Sequence, residues 1–212
     1  GRVCVRRAPQ ASLSYPPFVF NLVIDQGSLA SGRPSVPVSE IFRVAKPCGG
    51  VCVLGNPGDS PGLIADLKTL RAQNGIAERA GGLLKITRGR IPQSTDWTHN
   101  YANAANTYCS EDPNVKGPFG VLWYGEPGPQ KRIERHATPP MPLVVGSTLF
   151  TIGYDLVMAY DVYNGVRYWE RQIQGASRQH LPINTSNLAA DDNSLFLVID
   201  GGECLRLDAR TG

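Results

Sequence analysis

The sequence predicts an α/β segment that gives way, at about residue 90, to an all-β segment. Three observations carry this. Apolar residues recur at helical spacing only in the first part of the chain, at Val38, Ile41, Phe42 and Ala45 and again at Leu63, Ile64, Leu67 and Leu70. Beyond Gly89–Pro92 the apolar period changes from 3.6 to 2, the alternation of half-buried strands. Gly and Pro together make up 40 of the 212 residues, an excess that favours turns and short elements over a helical bundle.

Taken in order, residues 1–17 are basic and then polar, end in Tyr15-Pro16-Pro17, and read as an irregular lead-in. Phe18-Val-Phe-Asn-Leu-Val-Ile24 is a β-branched and aromatic run that suits a strand buried on both faces. A loop with Gly32, Pro34 and Pro37 leads to the helix at Val38–Ala45, which Pro47 ends because proline lacks the amide that a helix uses. Gly49-Gly50 turns the chain into a second buried strand, Val51–Leu54. The next helix has the clearest signals: Ser60 as cap, Pro61 in the first turn, the Leu63/Ile64/Leu67/Leu70 stripe, and Asn74-Gly75 as the stop. Leu83–Thr87 is a third strand. The first two strands are expected to be parallel through a right-handed crossover.

Residues 91–142 form a long irregular stretch holding Trp97, Tyr101, Tyr108 and Trp123, with one expected strand at Gly120–Tyr124. So long a stretch either contains further strands or wraps over a neighbouring surface. Residues 143–212 contain an internal repeat. Leu149-Phe150 and Leu195-Phe196 lie 46 residues apart, and Asp161 and Gly165 each lie 47 residues before Asp208 and Gly212. A period in the forties with several short strands per unit marks β-propeller blades. Asn164-Gly165 is a hairpin signal, Val166–Ile173 a third strand of the first copy, and Asp161 an acceptor for backbone amides in the turn.

Two resemblances follow from these residues. Ala159-Tyr-Asp161-Val-Tyr-Asn164-Gly165-Val-Arg-Tyr-Trp169 resembles the AxDxxTGxxxW motif of quinoprotein-like (PQQ-repeat) proteins, with Asn164 in place of Thr. The second copy keeps Asp208, Thr211 and Gly212, and carries Arg206 where Ala is usual. The resemblance implies incomplete PQQ-like β-propeller blades over 143–212, with Trp169 docking between neighbouring blades. Asn21–Ile24 together with Ser39–Leu54 resembles the latter half of a class I SAM-dependent methyltransferase, with Asn21 for Asp and Cys48 interrupting Pro-Gly-Gly. It implies a partial Rossmann-like α/β segment over 18–90, without the Gly-rich SAM loop that the family carries upstream. The order of the two parts is similar to large bacterial chains in which a propeller hosts a methyltransferase-like insert. Both ends read as cut, so the chain is expected to be a fragment. A location in the cell envelope or periplasm is implied by the propeller resemblance alone.

The expected role is therefore non-catalytic binding or scaffolding, the repeat motif comprising Ala159, Asp161, Gly165, Trp169, Asp208 and Gly212. The competing readings are part of a quinoprotein dehydrogenase or part of a SAM-dependent methyltransferase. PQQ or SAM would be bound only if a longer chain supplied the missing parts, so no cofactor is expected here. The expected partners are the remaining blades of the parent chain and an unidentified protein or small-molecule ligand. Trp97, His99 and His136 form the candidate ligand region; His180 is the third histidine. No Gly-x-Ser-x-Gly elbow places a nucleophile. Asp191-Asp192-Asn193 lacks the alternation of a calcium loop and reads as a turn. Cys48 and Cys52 have no second pair or neighbouring His, so the five cysteines are read as free, buried thiols. A net charge of +3 does not suit a dedicated nucleic-acid binder, and no apolar run nears the roughly 18 residues of a membrane helix. Trp169 is expected to be only partly covered.

Overall fold

The computed structural model describes residues 11–55, 58, 60–132, 141–177 and 186–212. The strands are β1 (Leu22–Asp25), β2 (Val51–Gly55), β3 (Gly75–Ala80), β4 (Leu83–Arg88), β5 (Leu143–Val145), β6 (Thr148–Gly153), β7 (Leu156–Asp161), β8 (Arg167–Gln172), β9 (Leu188–Ala190), β10 (Ser194–Val198) and β11 (Cys204–Asp208). The helices are α1 (Gln26–Ser31), α2 (Val38–Val44) and α3 (Pro61–Ala72), with one 3-10 turn at Pro129–Lys131. The chain divides into two compact units, residues 1–92 and 93–212.

In the first unit the sheet order is β1-β2-β4-β3. β1 and β2 are parallel, with Val23 opposite Cys52, while β4 runs antiparallel to both β2 and β3. Ser60 caps α3 by accepting the Leu63 amide at 3.2 Å, with Pro61 following. Asp25 ends β1 and caps α1, accepting the Gly27 and Ser28 amides. α2 and α3 bury Ile41, Phe42, Leu63 and Leu70 against Cys52, Leu54, Leu84 and Ile86 of the sheet. Burial pushes the Cys52 thiol up to about 12, so it stays protonated.

Two contacts tie this unit's loops down. Arg88 Nη1 donates to the carbonyls of Phe42, Ala45 and Arg43 at 2.7, 3.1 and 3.2 Å, and its guanidinium lies 4.5 Å from the ring centres of both Phe18 and Phe42. It thus adds a charged donor to the carbonyls at the end of α2, of which those of Phe42 and Arg43 also accept the Ala45 and Phe18 amides. Arg43 pairs with Glu40 and also donates to the Leu13 and Tyr15 carbonyls, while Glu40 accepts the Leu13 amide at 2.7 Å. The Arg43 guanidinium, against the opposing cost of burial, holds the Glu40 carboxyl down at about 2.

In the second unit β5-β6-β7-β8 form a four-stranded antiparallel sheet and β11-β10-β9 a three-stranded one. The two copies of the repeat share a register: Thr148 faces Asp161, and Ser194 faces Asp208. Both sheets contribute to one core, in which Leu143, Phe150, Val157, Ala159 and Trp169 meet Leu188, Leu195, Leu197 and Leu207.

This architecture corrects the expected fold class. The described residues are 33% strand and 15% helix, arranged in three small sheets, none closed. The first unit is not a Rossmann-like half. Only β1 and β2 are parallel, because Gly81 and Gly82, at φ +58 and +76°, turn β3 straight back into β4 as a hairpin. Helices α2 and α3 bury residues from one side of the sheet, while Leu22, Ile24 and Ile76 stay exposed, so the two-sided helix cover of a doubly wound sheet is missing. The later segment shows two small sheets, neither closed, and no propeller blades among the described residues. Residues 120–124 are not a strand, and Val121 and Tyr124 are almost fully exposed.

Candidate functional site: two tryptophan-covered turns

The turn that follows β7 is organised by Asp161, whose side chain is fully buried. Its Oδ1 accepts the Tyr163 amide at 2.9 Å, and its Oδ2 accepts the Tyr168 hydroxyl at 2.8 Å. Gly165 closes the turn by donating its amide to the Asp161 carbonyl at 2.9 Å, with φ of +71°. Only glycine takes that backbone without strain, and here the absence of a side chain has a second use. The Trp123 ring lies on Gly165 so closely that a Cβ there would sit 2.5 Å from the indole Cε3. The Trp123 indole N–H donates to the Val162 carbonyl at 2.8 Å, fixing the ring over the turn.

The same arrangement recurs after β11. Asp208 Oδ1 accepts the Arg210 and Thr211 amides at 3.0 and 2.8 Å and the Thr211 hydroxyl at 2.8 Å. The Thr211 hydroxyl and amide hold the Asp208 carboxyl below its ordinary range. Gly212, at φ +74°, donates to the Asp208 carbonyl, and the Trp169 ring covers it: a Cβ on Gly212 would fall 2.8 Å from Cε3. The Trp169 indole N–H donates to the Ala209 carbonyl at 3.0 Å. Trp169 is 9% exposed, not partly open as expected, because the second copy of the repeat supplies its cover and Phe150 lies beside it at 6.1 Å. Ala159 stands opposite Trp169 in the β7–β8 pairing and leaves room for the ring.

Trp123 is the residue that reading the sequence missed. It precedes Trp169 by 46 residues, the spacing of the repeat itself, and that spacing was the available signal. The chain after it is strapped along β8. Glu126 pairs with Arg167 at 3.0 Å, and Glu170 pairs with Arg167 at 2.8 Å and Lys131 at 2.6 Å. Lys131, followed by Arg167, holds the Glu170 carboxyl below its ordinary range. These are surface pairs, each worth at most ~1 kcal/mol, so the apolar and indole contacts dominate. Tyr160 is buried nearby, and burial pushes its phenol up.

The candidate ligand region is not assembled among the described residues, because His136 lies outside them, as does His180. Trp97 pairs with Val144 through both backbone groups at 2.8 and 2.9 Å and packs on the core. His99 Nδ1 lies 2.8 Å from the Thr98 hydroxyl. Asp191 Oδ1 accepts the Asn193 and Ser194 amides at 2.8 and 2.7 Å, which makes that acidic stretch a turn. No cluster of three or more His, Cys, Asp or Glu suited to a metal occurs among the described residues. Cys52 is buried, but Cys109 and Cys204 are exposed, which corrects the expectation of uniformly buried thiols. In the first unit, the segments leaving β1 and β2 line a cavity of about 780 Å³, where Arg33 and Asp66 are the charged residues among those described. No described helix is long and apolar enough to cross a membrane. No family model matches the chain, and no curated protein matches it.

Proposed function

We propose a non-catalytic binding or scaffold role for this chain, as part of a PQQ-repeat protein. The observation that carries this reading is the recurrence of one latch: Trp123 over Gly165, then Trp169 over Gly212. In both copies the motif residues serve cohesion between successive segments. The carboxylates of Asp161 and Asp208 accept hydrogen bonds within turns, and the tryptophans fasten one repeat to the turn of the next. In such an array stability is carried by the interfaces between neighbours, which suits a surface held in place for binding.

The test is a calorimetric titration of the chain with pyrroloquinoline quinone plus calcium and, separately, with S-adenosylmethionine, paired with thermal unfolding of Trp123→Ala and Trp169→Ala. The scaffold reading expects no saturable heat from either cofactor and a lowered melting temperature in both variants. Micromolar binding of the quinone would favour a dehydrogenase, micromolar binding of S-adenosylmethionine a methyltransferase, and either result overturns the proposal. So does an unchanged melting temperature in both variants.

A further inference from the structure

Residues 99–108 of the second unit build a surface that the latches do not use. Tyr101 and Tyr108 are stacked face to face, their ring centres 3.9 Å apart and their planes 18° from parallel. Tyr108 is 66% exposed. An exposed tyrosine is unremarkable, but the backbone beneath this one is not. Tyr101, Ala102, Asn106 and Tyr108 all have positive φ, at 62, 89, 52 and 57°. Four non-glycine residues in the left-handed region within eight positions are costly, and such strain collects where a side chain must be held in a set position.

The loop is anchored at its base. Trp97 pairs with Val144, Thr98 accepts the Ala190 amide and donates its own to Ala102, and Ala102 is buried. Tyr108 donates its amide to the Tyr101 carbonyl at 3.2 Å. The platform is thus fixed to both β5 and β9 before any ligand arrives, which lowers the ordering cost of binding.

Composition points to the ligand. From Trp97 to Ser110, fourteen residues, there is no Asp, Glu, Lys or Arg, in a chain where 18% of residues are charged. The same run holds three asparagines and two threonines. An exposed aromatic face in an uncharged segment that carries amides and hydroxyls matches a ring with one apolar face of C–H groups and a rim of hydroxyls. A nucleotide would call for cations to meet its phosphates, and the run has none. Tyrosine suits this task because it offers a large rigid face with little side-chain entropy to lose. The neighbouring Tyr101 hydroxyl raises the Tyr108 phenol above its ordinary value, so the Tyr108 ring stays neutral.

We infer that the stacked Tyr101–Tyr108 pair is a binding site for a neutral carbohydrate, whose pyranose ring lies on the exposed face of Tyr108. This goes beyond the scaffold role and stands independently of the latches. The test is binding of the whole chain to an array of neutral glycans, followed by calorimetry with the strongest binder and with adenosine. The inference expects a neutral glycan to bind, Tyr108→Ala to weaken it at least tenfold with an unchanged melting temperature, and Tyr108→Phe to stay within threefold of the parent. Array silence, equal affinity in Tyr108→Ala, or tighter binding of adenosine than of any glycan overturns it. None of these readouts depends on Trp123 or Trp169, so this inference can fail while the scaffold reading stands, and the reverse.

Discussion

Trp169 lies on Gly212: its indole N–H reaches the Ala209 carbonyl at 3.0 Å, and its ring leaves no space for a Cβ on the glycine. One side chain of the first repeat thereby closes the turn of the second. The contact is buried, so its removal should be felt by the whole second unit. Trp169→Ala is expected to cost about 3–5 kcal/mol, the usual range for a buried aromatic truncated in a core. Chemical denaturation of the two proteins measures this, and a loss under about 1 kcal/mol would show that the ring is not a structural tie.

Gly165→Ala tests the other latch from the turn's side. The new methyl group would meet the Trp123 ring, and the backbone would be held at φ +71°. Together these should cost about 2–4 kcal/mol. In a Trp123→Ala background the steric part vanishes, so the same substitution should cost less there. Additive losses in this double-mutant cycle would mean that the two residues are not in contact.

In the first unit, Arg88→Ala should destabilise by about 2–4 kcal/mol, because three helix-end carbonyls lose a charged donor and two rings lose their filling. Arg88→Lys should restore only part of this, since a single ammonium cannot reproduce the planar stack between Phe18 and Phe42. Full recovery in the lysine variant would remove the planar stack from the account.

Glu40 gives a pH signature. Its carboxyl sits at about 2 in the folded chain against 4.5 ordinarily. A depressed carboxyl contributes stability that is fully present above the unfolded value and is lost as pH falls through the folded one. Glu40→Gln should therefore be less stable than the parent at pH 6, and the gap should close between about pH 4.5 and 2. Denaturation midpoints of both proteins across that range check the sign; a gap that widens on acidification contradicts it.

The elements that the sequence revealed are those whose own residues carry the signal. Ser60-Pro61 and the leucine stripe specify α3 locally, and Asn164-Gly165 marks its turn whatever surrounds it. The elements missed depend on partners. β3 reads Gly-Ile-Ala-Glu-Arg-Ala and is mostly exposed, so no apolar alternation announces it; it exists because the Gly81-Gly82 turn folds it onto β4. β5 and β9 are three residues each, too short to show a period, and are held by pairing with β6 and β10. Gly120–Tyr124 fails in the opposite way: its residues favour a strand, but no described neighbour pairs with it, and only Trp123 finds a place.

By itself the sequence determined the repeat spacing, the turn residues Asp161, Gly165, Asp208 and Gly212, and helices α2 and α3 of the first unit, because capping, positive φ and apolar period are local properties; the short α1 was not among them. Only the tertiary structure decided that the third and fourth strands form a hairpin, that the sheets stay open, and that Trp123 and Tyr108 matter. Those outcomes rest on which distant surfaces meet: the Trp123 indole reaches across 39 residues to the Val162 carbonyl, and Tyr108 turns back onto Tyr101. A chain encodes such encounters only through the packing of all its parts, which no short window of residues contains.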